Sequence, residues 1–250
     1  MTNIRNKLVN RSHELYKGPR EFIKFSGNEN ADFLLNDIEN YPHAYVLACI
    51  MNRQIRAKRV WEIPYQIKER LGSFDIAKLA TLSYNDIYKK MSEPYPLHRF
   101  RKEISKFIHS AIDKIINQYE SNAANIWNDS PSSATLIKRF LQFPGMGQKI
   151  ATMAANCLVR DFKISVLDKY SIDISVDRQI KRVFRRLGLL SDNLSSNKIN
   201  NEIIYIAREF NPEFPGLIDL SVWEIGTTWC KQKNPLCVQC YMNDVCPKNI

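Results

Sequence analysis

The stretch FPGMGQK, residues 143–149, separates two segments with helical periodicity. Pro144 ends the first helix, and Gly145 and Gly147 permit a tight reversal in which the backbone can approach another molecule. The N–H groups that open the next helix, predicted over 148–160, point outward at the positive end of the helix dipole and can bind an anion. Because the net charge of the chain is +10, the natural anion is a nucleic-acid phosphate, and Gly145, Gly147 and Gln148 are candidate DNA-binding residues. An ordinary helix–turn–helix corner would show the same sequence pattern.

The rest of the chain predicts an all-α fold. Glycine is scarce, with 8 residues in 250, and alternating strand patterns are rare. Apolar residues recur at helical spacing in most segments. Helices are expected over 31–40, 43–59, 74–91, 100–119, 134–141, 148–160, 177–187, 197–210 and 215–227, with a polar linker over 122–133.

Composition and net charge limit the kinds of molecule that this protein is expected to bind. Lys plus Arg is 36 and Asp plus Glu is 26, so the net charge is +10. Such a chain either meets a polyanion or carries a solvated basic surface. There is no apolar run of membrane-spanning length and no export signal, so we expect a cytoplasmic, nucleoid-associated protein without a membrane partner. Cys49 and Cys157 lie in apolar helical segments and are interpreted as buried small hydrophobic residues.

Four cysteines near the C-terminus form the second informative pattern. Cys230, Cys237, Cys240 and Cys246 have the spacing C-x6-C-x2-C-x5-C. A structural zinc ribbon usually joins two C-x2-C knuckles from distant segments, and this sequence has one. The longer loop favours a [4Fe–4S] cluster, with zinc or disulfides as the alternatives.

Together, the FPGMGQK hairpin, the later SVDRQIKRV segment and the cysteine spacing resemble the helix–hairpin–helix DNA glycosylases, and within them the endonuclease III branch. The three motifs occur in that family's order, and the resemblance extends from about residue 30 to the end. It implies a helical barrel domain with the hairpin (32–161) and a cluster domain (162–250), which packs with the N-terminal segment (1–31). The two domains would flank a DNA-binding cleft.

The resemblance also implies catalytic residues. Lys149 matches the lysine with which bifunctional glycosylase/lyases attack the sugar. At a helix start near basic neighbours, and partly shielded from water, its amine should lose a proton more easily. Asp177 matches the essential aspartate and would stabilise the cationic sugar. A phosphate-contacting lysine and a simple helix N-cap remain the alternatives for these two residues.

Other resemblances concern DNA contacts. Met51 or Asn52, with Gln54 a turn away, would fill the gap left by a flipped base, and Leu97 would act as an intercalating wedge. Basic runs at 53–59, 99–106 and 178–186 are candidate phosphate contacts or solvated faces. The large aromatic side chains Trp61, Tyr65, Trp127, Trp223 and Trp229 are expected in the core rather than against bases. The segment between Lys149 and Asp177 is longer than in endonuclease III and is expected to form a loop near the pocket.

These features predict a base-excision DNA glycosylase with AP lyase activity, acting as a monomer on double-stranded DNA with a flipped nucleotide. The alternatives are a glycosylase that uses water, and a non-catalytic Fe–S protein that binds DNA. Because the sequence ends four residues after Cys246, we do not expect the extra domain of adenine glycosylases or their substrate.

Overall fold

The computed structural model describes residues 2–191, 195 and 198–249, and this part contains twelve α-helices and no β-strand. The all-α fold class is therefore confirmed. In chain order the helices are α1 Thr2–Tyr16, α2 Glu29–Asn36, α3 Pro42–Met51, α4 Ala57–Leu71, α5 Ile76–Ala80, α6 Tyr84–Ser92, α7 Arg101–Gln118, α8 Ser133–Leu141, α9 Gln148–Arg160, α10 Arg178–Arg186, α11 Ile199–Phe210 and α12 Ile218–Thr228.

Several helices begin where the sequence supplies a capping side chain. Asn28 accepts a hydrogen bond from the backbone N–H of Ala31 at 3.3 Å, which starts α2. Ser83 and Asp86 form a reciprocal capping box at the start of α6. Because the first N–H groups of a helix have no partner within it, each such cap stabilises the helix by about 1 kcal/mol.

Chain contacts divide the protein into two compact units. The first unit comprises Met1–Arg20, Ser132–Ala134 and Ala155–Ile250, and the second comprises Glu21–Pro131 and Thr135–Ala154. The core of the first unit is formed by apolar residues of α1, α10, α11 and α12. In the second unit, large side chains such as Tyr45, Phe74 and Phe140 are fully buried. The domain boundaries expected at residues 31 and 161 stay a prediction.

The prediction of one continuous helix over 43–59 is wrong, because a loop interrupts the helical structure between α3 and α4. Residues 52–56 form a loop in which Gln54 has a left-handed backbone with φ 50°. Neither glycine nor proline marks this break, so local sequence does not reveal it. The helix expected over 74–91 is likewise split into α5 and α6.

Other differences are smaller. The N-terminal helix α1 was not expected, and α4 continues past Arg59, through Pro64, to Leu71. The expected polar linker over 122–133 contains a 3-10 turn, Ala123–Ile126, and buried apolar side chains. The helix expected over 197–210 is observed from Ile199, and residue 197 lies outside the described residues. None of the described helices is long and apolar enough to cross a membrane.

Candidate active site and cysteine loop

The structure contains the predicted tight turn between α8 and α9. Gly145 has φ 84°, and a Cβ atom there would lie 2.6 Å from Cδ2 of Phe107 on α7. Glycine is therefore needed at this position both for its backbone conformation and for the close approach of α7. Gly147 faces open space, and its carbonyl accepts the N–H groups of Ile150 and Ala151 at 3.0 Å.

Lys149 is the second residue of α9, and its side chain is exposed. Among the described residues, its amine makes no hydrogen bond or ion pair. The partial shielding expected from the sequence is not observed. The amine is therefore free to meet an incoming group at the positive end of the α9 dipole.

The loop at 52–56 lies against the same helix. The side-chain amide of Asn52 contacts Sδ of Met153, one turn after Lys149 on α9, at 3.4 Å. Arg53 lies over the ring of Phe107, 5.5 Å from its centroid, and pairs with Glu103. Phe107 also contacts the hairpin at Gly145, so within this unit the loop, α7 and the hairpin form one continuous surface.

Two of the predicted DNA contacts do not fit this surface. Met51 is fully buried and Leu97 is 1% exposed, so neither side chain can fill a gap or wedge between bases where it lies. Both side chains belong to the core instead. Gln54 is exposed and Asn52 is half-buried, so these two stay predictions. In the turn that contains Leu97, the exposed apolar side chain is Tyr95, at 54%, which the sequence argument missed.

Asp177 lies in the other unit and caps α10. Its Oδ1 accepts a hydrogen bond from the backbone N–H of Ile180 at 2.8 Å. Within the described part of the chain, its Oδ2 accepts none. The N-cap role is thus observed, and it leaves one carboxylate oxygen available for another role.

A second carboxylate lies close enough to interact with Asp177. Asp219, in the first turn of α12, pairs with Arg160 of α9 at 2.8 Å, and Arg160 also pairs with Asp161 at 2.8 Å. Burial raises the pKa of Asp219 above its ordinary value against the effect of Arg160, and the charges of Asp177 and Asp161 add to the rise. No motif in the sequence marked Asp219.

The four predicted cysteine ligands come together in the first unit. All are half-buried, and all line one cavity whose walls are mostly apolar. Among the described residues, no group of three or more His, Cys, Asp or Glu is arranged to hold a metal ion. In a tetrahedral zinc site every sulfur lies about 2.3 Å from the metal. As placed, the four thiols share one cavity without forming a metal-binding arrangement.

Burial raises the pKa of the Cys240 and Cys246 thiols, and the neighbouring cysteines add to the rise. Deprotonated thiolates in this cavity consequently need a compensating positive charge.

Two arginines of α10 hold the cysteine loop. Arg182 donates to the carbonyls of Cys230 at 2.9 Å and Gly226 at 3.1 Å. Arg186 donates to the carbonyls of Lys231 at 2.6 Å and Gln232 at 3.2 Å, and contacts Sγ of Cys230 at 3.5 Å. The basic run that contains these two arginines was a candidate for phosphate contact or for a solvated face, and here both guanidinium groups bond within the fold.

Two further residues differ from the sequence prediction. Trp223 was expected in the core and is 56% exposed, whereas Trp61 and Trp127 are buried as expected. Cys49 is buried, but Cys157 is only half-buried.

The long segment between α9 and α10 is irregular. The carbonyl of Ile172 in this segment accepts a hydrogen bond from the backbone N–H of Gly216 at 2.7 Å.

No protein-family model matches this sequence, and no curated protein matches it. Solved structures do match. A non-covalent endonuclease III–DNA complex has a TM-score of 0.60 at 14% identity, covering 99% of this chain and 95% of that chain. A thermostable thymine-DNA glycosylase has a TM-score of 0.62 at 16% identity, covering 99% of this chain and 97% of that one.

A Clostridium acetobutylicum 8-oxoguanine glycosylase/lyase, in complex with double-stranded DNA containing cytosine opposite 8-oxoG, has a TM-score of 0.51 at 19% identity. That match covers 87% of this chain and 74% of the other. These likenesses show that the chain has the helix–hairpin–helix DNA glycosylase fold, which confirms the resemblance at the level of the fold.

Proposed function

We propose that this protein is a base-excision DNA glycosylase with AP lyase activity. The observation that carries the proposal is the free, exposed amine of Lys149 at the start of α9, directly after the glycine hairpin. An uncommitted amine at a helix N-terminus is suited to act as a nucleophile next to DNA phosphates. The fold shared with DNA glycosylases supports the same reading.

The proposed reaction has two stages. The neutral Nζ of Lys149 attacks C1′ of a flipped nucleotide, the C1′–N bond breaks, and the base leaves with the electron pair and takes up a proton. The free oxygen of Asp177 stabilises the positive charge that develops on the sugar. Ring opening protonates O4′ and leaves an iminium between C1′ and Nζ. Loss of a C2′ proton then breaks the C3′–O bond, and the 3′ phosphate departs.

The four cysteines are proposed to hold a [4Fe–4S] cluster. When bound, the cluster supplies a structural cross-link and no substrate chemistry in this proposal. The residues around it fix the loop and present exposed lysines, Lys233 and Lys248, toward phosphate. DNA affinity should consequently fall steeply with salt, because counterions are released from the phosphates on binding.

Borohydride trapping on abasic duplex DNA tests the lyase. Wild-type protein should form a covalent adduct, and Lys149→Ala should abolish the adduct while leaving most of the DNA affinity. Lys138→Ala is the matched control, since Lys138 is an exposed lysine of the preceding helix in the same unit. An adduct that persists in Lys149→Ala would remove Lys149 from the mechanism. Base release without trapping by the wild type would indicate a glycosylase that uses water, and tight binding with neither would indicate a non-catalytic protein.

A further inference from the structure

The face of α12 beside Asp177 carries an exposed aromatic side chain. Asp219 and Trp223 are four residues apart and therefore lie on the same side of this helix. Trp223 is 56% exposed, and its indole has no ring or hydrogen-bond partner among the described residues. Tryptophan combines a large apolar ring with a polar N–H edge and is enriched where proteins bind other molecules.

The position of Trp223 relative to α10 is fixed by close packing. The side chain of Gln179 donates to the Trp223 carbonyl at 3.2 Å. A Cβ atom at Gly226 would lie 2.4 Å from Cγ of Gln179, so only glycine lets the two helices approach this closely. Gln179 follows Asp177 by two residues, so the backbone at Trp223 lies next to the first turn of α10.

Asp219 is held rigidly on the same face. Arg160 binds its Oδ2 at 2.8 Å and is itself fixed by Asp161. Oδ1 of Asp219 accepts no hydrogen bond from the described residues. It is also not one of the buried polar atoms without a partner, so it is accessible from outside the fold. One carboxylate oxygen is thus oriented by an ion pair while the other remains available as an acceptor.

We propose that Trp223 and Asp219 form the base-recognition surface of this protein, with the indole stacked on the base of the extruded nucleotide and Oδ1 of Asp219 accepting from an amino group of that base. A carboxylate accepts hydrogen bonds from exocyclic amines of bases, and aromatic rings stack on any base. The ligand class is therefore a base that bears an exocyclic amine. This inference rests on the proposed function, since it assigns the base site of the same reaction.

Binding to bulged duplexes tests it without requiring catalysis. The probe is a duplex with a single-nucleotide bulge that carries 2-aminopurine. It is compared with the same duplex whose bulge carries unsubstituted purine, and with one whose bulge is tetrahydrofuran, which has no base. The measurement is the dissociation constant for each, in wild type, Trp223→Ala, Trp223→Phe and Asp219→Asn.

Wild type should bind the 2-aminopurine bulge about tenfold more tightly than the tetrahydrofuran bulge, because only the former offers a base to stack. Trp223→Ala should remove that preference and Trp223→Phe should keep most of it. Asp219→Asn should reduce the preference for 2-aminopurine over purine severalfold, because the hydrogen bond loses its charge assistance.

Tyr205→Ala is the matched control. Tyr205 is 59% exposed on α11 of the same unit, and its removal should leave the preference unchanged. Equal affinity of wild type for the base-bearing and base-free bulges, or an unchanged preference in Trp223→Ala, would overturn the inference. Trapping by Lys149 on abasic DNA needs no base, so it decides the proposed function separately.

Discussion

The glycine hairpin at 143–149 and the cysteine loop at 230–246 hold their shapes by different means. The hairpin is set by its own backbone: Gly145 takes a left-handed conformation, and Gly147 supplies the carbonyl that starts α9. The cysteine loop contains only a short 3-10 turn, Cys237–Gln239, and is tied to α10 through Arg182 and Arg186. A local turn can be recognised from consecutive residues, whereas a loop without regular structure depends on cross-links from elsewhere.

The largest expected effect is on the cysteine loop. Cys237→Ser should remove one proposed cluster ligand and with it the cross-link that replaces secondary structure in this loop. Soluble yield, iron content and DNA affinity should fall together. Wild-type protein should carry four irons per chain and be yellow-brown, as expected for a cubane with four thiolate ligands.

Cys157→Ser is the matched control, because Cys157 is also half-buried but lies outside the loop. It should retain the iron. Colourless wild-type protein with one equivalent of zinc would contradict the cluster assignment.

The next effect separates the two roles of Asp177. Asp177→Asn keeps a good N-cap for α10 but removes the negative charge. Single-turnover base release should slow by roughly 100- to 1000-fold, the range seen when one transition-state stabilising group is lost. The melting temperature should change little.

A large loss of thermal stability in Asp177→Asn, with base release within a few-fold of wild type, would reduce Asp177 to a capping residue. Asp177→Ser provides the second variant, since serine also caps and is also uncharged.

The two glycines of the hairpin should respond differently to alanine. Gly145→Ala should lower the free energy of unfolding by about 1–3 kcal/mol or more, because the left-handed φ is strained and the new Cβ meets Phe107. Gly147→Ala meets open space, so its cost in stability should stay under about 1 kcal/mol. Urea melts of both variants measure this difference.

For DNA affinity, we expect the substitution at Gly147 to have the larger effect. The added methyl of Gly147→Ala lies where a phosphate would approach the start of α9, so affinity should fall although the fold is kept. Unchanged DNA affinity in folded Gly147→Ala would mean that the hairpin is only a corner between helices.

A smaller effect should follow from Arg186→Gln. Loss of hydrogen bonds from a charged donor to two loop carbonyls should cost roughly 1.5–3 kcal/mol and speed the removal of iron by a chelator. Arg185→Gln is the matched control, since Arg185 is the exposed neighbour on the same helix. Equal iron loss from the two variants would show that α10 does not hold the cysteine loop.

The last effect is a pH dependence of stability in the unit that contains the hairpin. Burial lowers the pKa of His43 and of His98, both in that unit, below the ordinary value of 6.5. The unfolded chain then binds protons that the folded chain does not, so stability rises with pH and is lost as pH falls below about 6.5. The loss should not exceed about 1.4 kcal/mol per pH unit for each histidine.

Thermal melts between pH 7.5 and pH 5 would detect this loss. His109→Gln serves as the control, because His109 is half-exposed and pairs with Asp113 at 3.2 Å. A melting temperature that rises on acidification would reverse the sign and contradict the argument.

By itself the sequence determined the features that depend on neighbouring residues. The all-α class, the bounds of α9, the glycine turn before it and the capping position of Asp177 all follow from spacing, backbone preference and side-chain length. The cysteine spacing is of the same kind, and the structure gathers all four residues around one cavity.

The tertiary structure alone decided which side chains are available. Met51 and Leu97 are buried in it, whereas Trp223 is exposed. A loop around Gln54 interrupts the helix expected there, and Asp219 lies close enough for the charge of Asp177 to affect its pKa. The tertiary structure also placed the guanidinium groups of Arg182 and Arg186 against carbonyls of the cysteine loop, which their basic sequence run did not indicate. The physical reason is that exposure and pairing depend on residues far apart in the chain, and a local pattern carries no record of those partners.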